Sequence, residues 1–339
     1  MPTPHPTWPY IQGLPLWIDS VTTRTNSLPL GDWTRKTTVV ELHGRGETGL
    51  GEDVTYDAAE HERFPAFELG GSWTLASFSR RLARLPLFPG EPQQAAFLDY
   101  RRWALESAAL DLALRQAGTD LAGALRRKPR PVRFVSSTRA EDLDPWLELY
   151  PDLRFKLDPT PKWSDELIAK RAAAGNVDVV DLKGAYRGTA VDNPPNAGLY
   201  AKVVEAFREA WIEDPALTPE TREVLAPHMD RVTWDAPVHS WADVEALEHR
   251  PRCLNCKPSR FGALERLFEF YDRCAAEGVL LYGGGQFELD VGRGQIQLLA
   301  ALFHPEAPND VAPGGYNGDP LPGLPTSPLE LSPQPGFRA

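Results

Sequence analysis

The sequence predicts an α/β chain in which a small antiparallel unit precedes a parallel (β/α) barrel. Three observations carry this expectation. From residue 132 onward, short apolar or β-branched runs alternate with helical stretches, the runs falling at 132–136, 153–157, 177–181, 210–213, 231–235, 252–257 and 279–282. Seven or eight such units make a parallel barrel. Four of the runs end on a charge: Asp181 in VDVVDLKG, Glu213 in WIEDP, Asp235 in RVTWDAP and Lys257 in LNCKPSR. Their successive spacings of 32, 22 and 22 residues each suit one strand, one loop and one helix, and functional residues at the carboxyl ends of strands are how a barrel builds a site. Finally, 339 residues suffice for a barrel plus a second domain.

The elements follow in order. Residues 15–55 read as an antiparallel meander, with a strand at 37–42 (TTVVEL), a turn at 44–51 (GRGETGLG) and Glu52 opening the next segment. Gly44, Gly46 and Gly49 match GxGxxG literally. A dinucleotide site needs a helix directly after that turn to offer its N-terminus to pyrophosphate. Here GEDVTYD follows without a helical apolar period, so the nucleotide reading is set aside. The clearest helix is 98–117, whose Trp103, Ala104, Ala108, Leu110, Leu112 and Leu114 form a broad apolar face before Gly118 stops it. Residues 128–131 are a connector, and 305–339 are rich in Pro and Gly without a period. Cys253 and Cys256 form a CxxC, but only His249 lies near as a further ligand, so small residues in a buried strand are the better reading.

Apolar residues at 42% support a real core, which excludes a disordered chain. The net charge of −11 argues against nucleic-acid partners, which require a basic field. No apolar stretch approaches the roughly 20 residues of a membrane span. The start, MPTPHPTWPY, has neither a basic segment nor an apolar run, so a cytoplasmic protein is expected, with homo-oligomerisation open. Three carboxylates converging on one barrel mouth repel each other and call for a divalent cation. Oxygen-only donors favour Mg²⁺, with Mn²⁺ the second choice. A lysine facing that ion is a candidate proton-transfer group. Taken singly, each strand-end carboxylate is more often a helix cap or a surface ion pair; their order is what points to a site.

Five segments occur in the order GLGED (49–53), RWALESAALDLALRQAG (102–118), WIEDP (211–215), NCKPSRFGAL (255–264) and GGGQFELDVGRGQ (283–295). On these the chain resembles the enolase superfamily, in its mandelate racemase and muconate-lactonizing branch, and is closest in motif to o-succinylbenzoate synthase-like members. The resemblance implies a modified TIM (β/α)7β barrel with an N-terminal α+β capping domain. The capping domain would span 1–127, including the helix at 98–117 that leads into the barrel; the barrel would span 128–304; and 305–339 would pack back on the capping domain or be mobile. It also implies Mg²⁺-dependent abstraction of a proton α to the carboxylate of a small-molecule substrate, through a metal-stabilised enediolate, leading to elimination or isomerisation. Carried over, Asp181, Glu213 and Asp235 would bind the metal, Lys257 would be the base on one face, and Lys156 the base on the other. Arg154 stands where the first lysine of the Lys-x-Lys pair belongs, and a one-step register shift would put Asp158 at the catalytic position instead. Arg154, Lys183, Gly284, Gly285 and Glu288 would contact substrate, with selectivity set by capping-domain loops such as 20–34.

Three departures are visible. Lys183 follows Asp181 at i+2, where the family often has Asn, and on a strand it would share that carboxylate's face. The loop 184–200 is long and carries Tyr186 and Arg187. The segment Asn309-Asp310-Val311-Ala312 lacks the Asp-x-Asp of dipeptide epimerases, which ranks that activity lower. The alternative expectation is a non-catalytic small-molecule-binding protein on the same scaffold.

Overall fold

The computed structural model describes residues 6–31, 33–187, 189, 191–332 and 334–338. After a single 3-10 turn at Trp8–Tyr10 comes β1 (Pro15–Ile18), then an antiparallel meander of β2 (Ser20–Leu30), β3 (Trp33–Gly44) and β4 (Glu47–Asp53). β5 (Gly71–Thr74) then returns to pair antiparallel with β1. The segment expected to be a selectivity loop is therefore mostly strand, because β-branched Val21, Thr22, Thr23 and Thr25 favour the ladder that β2 makes with β3. Asp32, within that segment, lies outside the described residues.

The glycine-rich segment 44–51 is not one long turn. Arg45 and Gly46 alone turn, both with positive φ (54° and 79°), as a two-residue hairpin requires. Gly49 and Gly51 belong to β4 and serve packing instead. A Cβ on Gly49 would sit 2.2 Å from the Ala108 carbonyl oxygen, and one on Gly51 2.0 Å from that of Ala104. The strand thus lies directly against the helix Ala96–Gln116, whose alanines face it. The helix is buried along most of its length, and its buried charges are paired: Arg101 with Asp53, Glu106 with Arg102 and Asp111 with Arg338.

The second unit is a parallel barrel. β6 (Ser136–Thr138), β7 (Phe155–Leu157), β8 (Val177–Asp181), β9 (Trp211–Glu213) and β10 (Val232–Thr233) pair in that order, and β11 (Cys253–Cys256) pairs with β12 (Leu280–Gly283). The Asn255 amide donates to the Trp234 carbonyl at 3.0 Å, joining the two sets. Closure comes from Asn309 and Asp310. The Val135 amide donates to Asn309 O (2.9 Å), and the Asp310 amide donates to Gly283 O (2.8 Å). The eighth strand position therefore lies beyond residue 304, inside the segment read as irregular. It is too short to show a period, and one side chain strengthens it: Asn309 accepts from the Gly283 amide (2.6 Å) and donates to the carbonyls of Arg133 (2.9 Å) and His304 (3.0 Å).

The two units are keyed together beside the barrel mouth. The Arg35 guanidinium, buried, donates to the carbonyls of Val54, Thr55, Gln286 and Phe287. The Glu52 carboxylate accepts from the amides of Leu289 (2.7 Å) and Gly292 (2.8 Å), at the start of the helix Val291–Phe303. Antiparallel-sheet residues thus fix the loop after β12. The chain end returns to the first unit, where the Phe337 amide donates to Asp111 at 2.7 Å. Cys253, Cys256 and Cys274 are buried and free. Among the described residues no helix is long and apolar enough to cross a membrane.

Candidate active site

Strand alternation sends Lys156, Asp181, Glu213 and Asp235 into the barrel at the carboxyl ends of their strands, all of them almost completely buried. Asp181, Glu213 and Asp214 present carboxylate oxygens within 4.8 Å of one another, close enough to hold a metal ion. Asp214 is the member that sequence reasoning missed. As Glu213's neighbour on a strand it should point away, but the strand ends at Glu213. Asp214 adopts φ 48°, turning its carboxylate to receive the amides of Asp235 and Ala236, each at 2.9 Å.

Each of these oxygens already has a donor. The Lys156 ammonium bonds Glu213 Oε1 and lies 3.2 Å from Asp181 and 3.6 Å from Asp310. Tyr282 and Asn255 donate to Glu213 Oε2. Lys183 bonds Asp181 through both its backbone amide and its ammonium. Asp235, expected as the third ligand, lies outside the three-carboxylate group and is held by other cations. Lys257 Nζ is 2.8 Å from its Oδ2, Arg260 Nε 3.2 Å from its Oδ1, and the Tyr186 hydroxyl donates to Oδ2 at 2.8 Å. Tyr186 thus arrives from the long loop after β8, while Arg187 is exposed; Gly188 and Ala190 of that loop lie outside the described residues. Arg260, three residues after Lys257, was not anticipated.

The electrostatics follow from this crowding. Burial works against charge on Lys156, but Glu213, Asp181 and Asp310 outweigh it and hold the ammonium well above the ordinary lysine range. Burial likewise opposes charge on Lys183, and Asp158, Asp181 and Glu213 overcome it. Asp181 is held below the usual carboxylate range: burial opposes this, but Lys183 and Lys156 prevail. Burial, then Asp235 and Asp181, push Asp214 up to about 7. Burial leads that last shift, and a bound cation would favour the charged carboxylates. Asp181, Glu213 and Asp214 fit a hard cation in donor type and spacing; its arrival requires lysine ammonium groups to give way.

Above the carboxylates is a cavity of about 220 Å³. Lys156, Lys183, Lys257 and Arg293 line it, with Asp310, Gly285, Tyr56 and Phe287. Lys156 and Lys257 belong to the second and sixth strand positions, four apart around the eight. Gly284 packs beneath, where a Cβ would meet Asn255 Oδ1 at 2.7 Å and Lys257 Cε at 2.9 Å. Glu288 lies beside the cavity and engages Arg293 at 3.3 Å and the Gln286 amide at 2.7 Å. Arg154 is not brought to this cluster. It sits two residues before Lys156, away from the mouth, and its Nε donates to Asp178 at 2.8 Å. A register shift where β7 meets β8 accompanies that pairing. Asp158 is near the site but faces Lys183 and Arg139.

With this geometry in view, the comparisons with known proteins can be placed. Residues 9–124 match the family described as Domain of unknown function (DUF8230) N-terminal domain, and residues 128–318 match its C-terminal domain. The chain belongs to the DUF8230 family. No curated protein matches it by sequence. Solved structures share the fold of this DUF8230 chain at low identity. It is similar to a dipeptide epimerase from Methylococcus capsulatus complexed with Mg ion, with 20% identity, 87% of this chain and 89% of that one covered, and a TM-score of 0.66. It is similar to a muconate cycloisomerase from Pseudomonas fluorescens, with 18% identity, coverage of 95% and 96%, and a TM-score of 0.68. It is also similar to an enolase superfamily member from Listeria innocua, with 17% identity, coverage of 88% and 86%, and a TM-score of 0.63. The architecture is thus the one these structures share, a capping domain plus a TIM-like barrel.

Proposed function

We propose that this chain is an enzyme that removes a proton from the carbon next to a carboxylate of a small molecule, leading to elimination or isomerisation. The observation that carries the reading is the cavity itself: lysines from opposite sides of one barrel mouth line it directly above buried carboxylates. An anionic substrate is drawn by Lys156, Lys183, Lys257 and Arg293. Asp181, Glu213 and Asp214 would hold a divalent cation, Mg²⁺ on the chemistry of the donors, and Asp235 stands adjacent. When bound, such an ion would supply positive charge to a developing enediolate and would take over carboxylate charge that holds Lys156 and Lys183 protonated.

Lys257 Nζ is assigned as the base. It reaches the cavity from the sixth strand position and is oriented by Asp235. Lys156 Nζ, buried on Glu213, holds its proton on the other side and returns it or stabilises charge there. This supports either syn-elimination of the o-succinylbenzoate synthase type or isomerisation of the N-acylamino acid racemase and cycloisomerase type. Lone Asp310 at the strand-eight position leaves the dipeptide epimerase pattern incomplete.

The test is exchange of α-protons with deuterated water across a panel of small carboxylates, with and without Mg²⁺. Exchange should appear, and Lys257→Ala should reduce it at least 10²-fold, the usual minimum for loss of a general base. Undiminished exchange in Lys257→Ala would refute the assignment. A second reading, a non-catalytic binding protein, is favoured by the fact that each oxygen of the three clustered carboxylates already has a donor. It predicts saturable binding of an anion with no exchange and no metal in the purified protein.

A further inference from the structure

We propose that Lys183 and Asp158 form an ion-exchange pair: the Lys183 ammonium occupies Asp181 while the site is free of metal, and passes to Asp158 when a divalent cation takes the carboxylate cluster. The proposal rests on the cation site of the preceding section. It assigns a positioning role to Asp158, whose second oxygen has no task in that reading.

Four features of the geometry carry it. Lys183 Nζ contacts Asp181 Oδ2 and lies 3.8 Å from Asp158 Oδ1. A displacement of about 1 Å turns the longer separation into a hydrogen bond. Asp158 Oδ1 is buried and has no hydrogen-bond partner, an unusual state for a carboxylate oxygen in a folded interior. Asp158 Oδ2 is meanwhile fixed by Arg139 Nε at 2.9 Å, so the vacant oxygen is held in place as a receiver. The backbone of Lys183 need not move. Its amide is tied to Asp181 Oδ1 at 3.0 Å, the next amide is tied to Asp214 O at 2.8 Å, and φ is 54°. Only side-chain torsions separate the two positions.

Without a second acceptor, an arriving cation would leave a largely enclosed ammonium, 14% exposed, unpaired beside a like charge, which costs free energy. With Asp158 in place, the ammonium remains paired and stays on the cavity wall, available to an anionic substrate. The consequence is specific: metal affinity is set by the competition between Lys183 and the ion, and by the quality of Asp158 as the alternative partner.

The experiment is calorimetric titration of Mg²⁺ and of Mn²⁺ into EDTA-treated full-length protein, in a double-mutant cycle. Lys183→Asn should tighten binding at least tenfold, because the ion no longer displaces an ammonium; Asn also tolerates the positive φ at this position. Asp158→Asn alone should weaken binding at least tenfold. In the Lys183→Asn background the same Asp158→Asn change should alter affinity by less than about twofold. A simple loss of negative charge near the site would instead weaken binding equally in both backgrounds, and that result overturns the proposal. Equal affinity in wild type and Lys183→Asn also overturns it, while leaving the proposed function standing. Absence of saturable binding in both removes the metal from the site altogether, whereas loss of α-proton exchange in Lys257→Ala tests the function independently.

Discussion

His304 should make the stability of this fold depend on pH, and the size of the effect follows from where the ring sits. The imidazole is buried between the helix Val291–Phe303 and the strand-eight segment. Its Nδ1 is 2.7 Å from Asn309 Oδ1, the atom that also receives the Gly283 amide. Since that oxygen can only accept, Nδ1 carries the hydrogen. Nε2 is left buried without a partner. Protonating Nε2 would place a charge in an apolar setting, so burial pulls the histidine down to about 4 from its ordinary 6.5, against the smaller opposing effect of Asn309. The sign is fixed by linkage. Below pH 6.5 the unfolded chain binds a proton that the folded chain refuses, so stability present above pH 6.5 is lost as pH falls toward 4. Each pH unit is worth about 1.4 kcal/mol, hence a loss of about 2 kcal/mol between pH 6.5 and 5 and about 3 kcal/mol by pH 4. The assay is guanidinium unfolding of wild type and His304→Gln at pH 7, 6 and 5, reading the difference between the two proteins so that other titrating groups cancel. The variant should be less stable at pH 7 and close the gap by about 2 kcal/mol at pH 5. A difference that stays flat across this range would refute the argument.

Two further outcomes are expected at the site. Glu213→Gln should abolish metal binding and turnover while leaving the metal-free protein no less thermostable than wild type, because burial and the neighbouring Asp181 and Asp235 already press Glu213 toward its neutral form against the pull of Lys156; a variant with full turnover would remove Glu213 from the mechanism. Gly284→Ala should keep the fold by circular dichroism yet lower turnover at least tenfold, since the added Cβ would lie 2.9 Å from Lys257 Cε and 2.7 Å from Asn255 Oδ1; unchanged kinetics would show that Lys257 is not positioned by this contact.

The barrel was legible because its signal is redundant. Each of β8, β9, β10 and β11 couples a short run to a charge at its last residue or just past it, and the spacing repeats the message. What escaped notice lacked that redundancy. The strand-eight segment pairs through two residues and one asparagine side chain, so no periodicity marks it. Asp214 reads as an outward neighbour of Glu213 until a positive φ turns it inward. Arg154 reads as half of an alternating pair with Lys156, but Asp178 offers it a carboxylate away from the mouth. The glycines at 49 and 51 suggested a turn; they are instead the price of laying β4 on the alanines of a helix. In each case the sequence carried the residue type, and a tertiary partner decided its use.

That distinction bears on how the filled cluster is to be understood. If Lys183 were a permanent substitute for a metal ion, its ammonium would need only the Asp181 oxygen it already contacts. A lysine serving only to neutralise Asp181 would also have no use for an unpartnered carboxylate oxygen 3.8 Å away on Asp158. A cluster whose tethered cation has a second place to go is arranged for exchange rather than for permanent occupation. On the proposed reading, Lys183 then adjusts the metal's affinity instead of abolishing the metal's role.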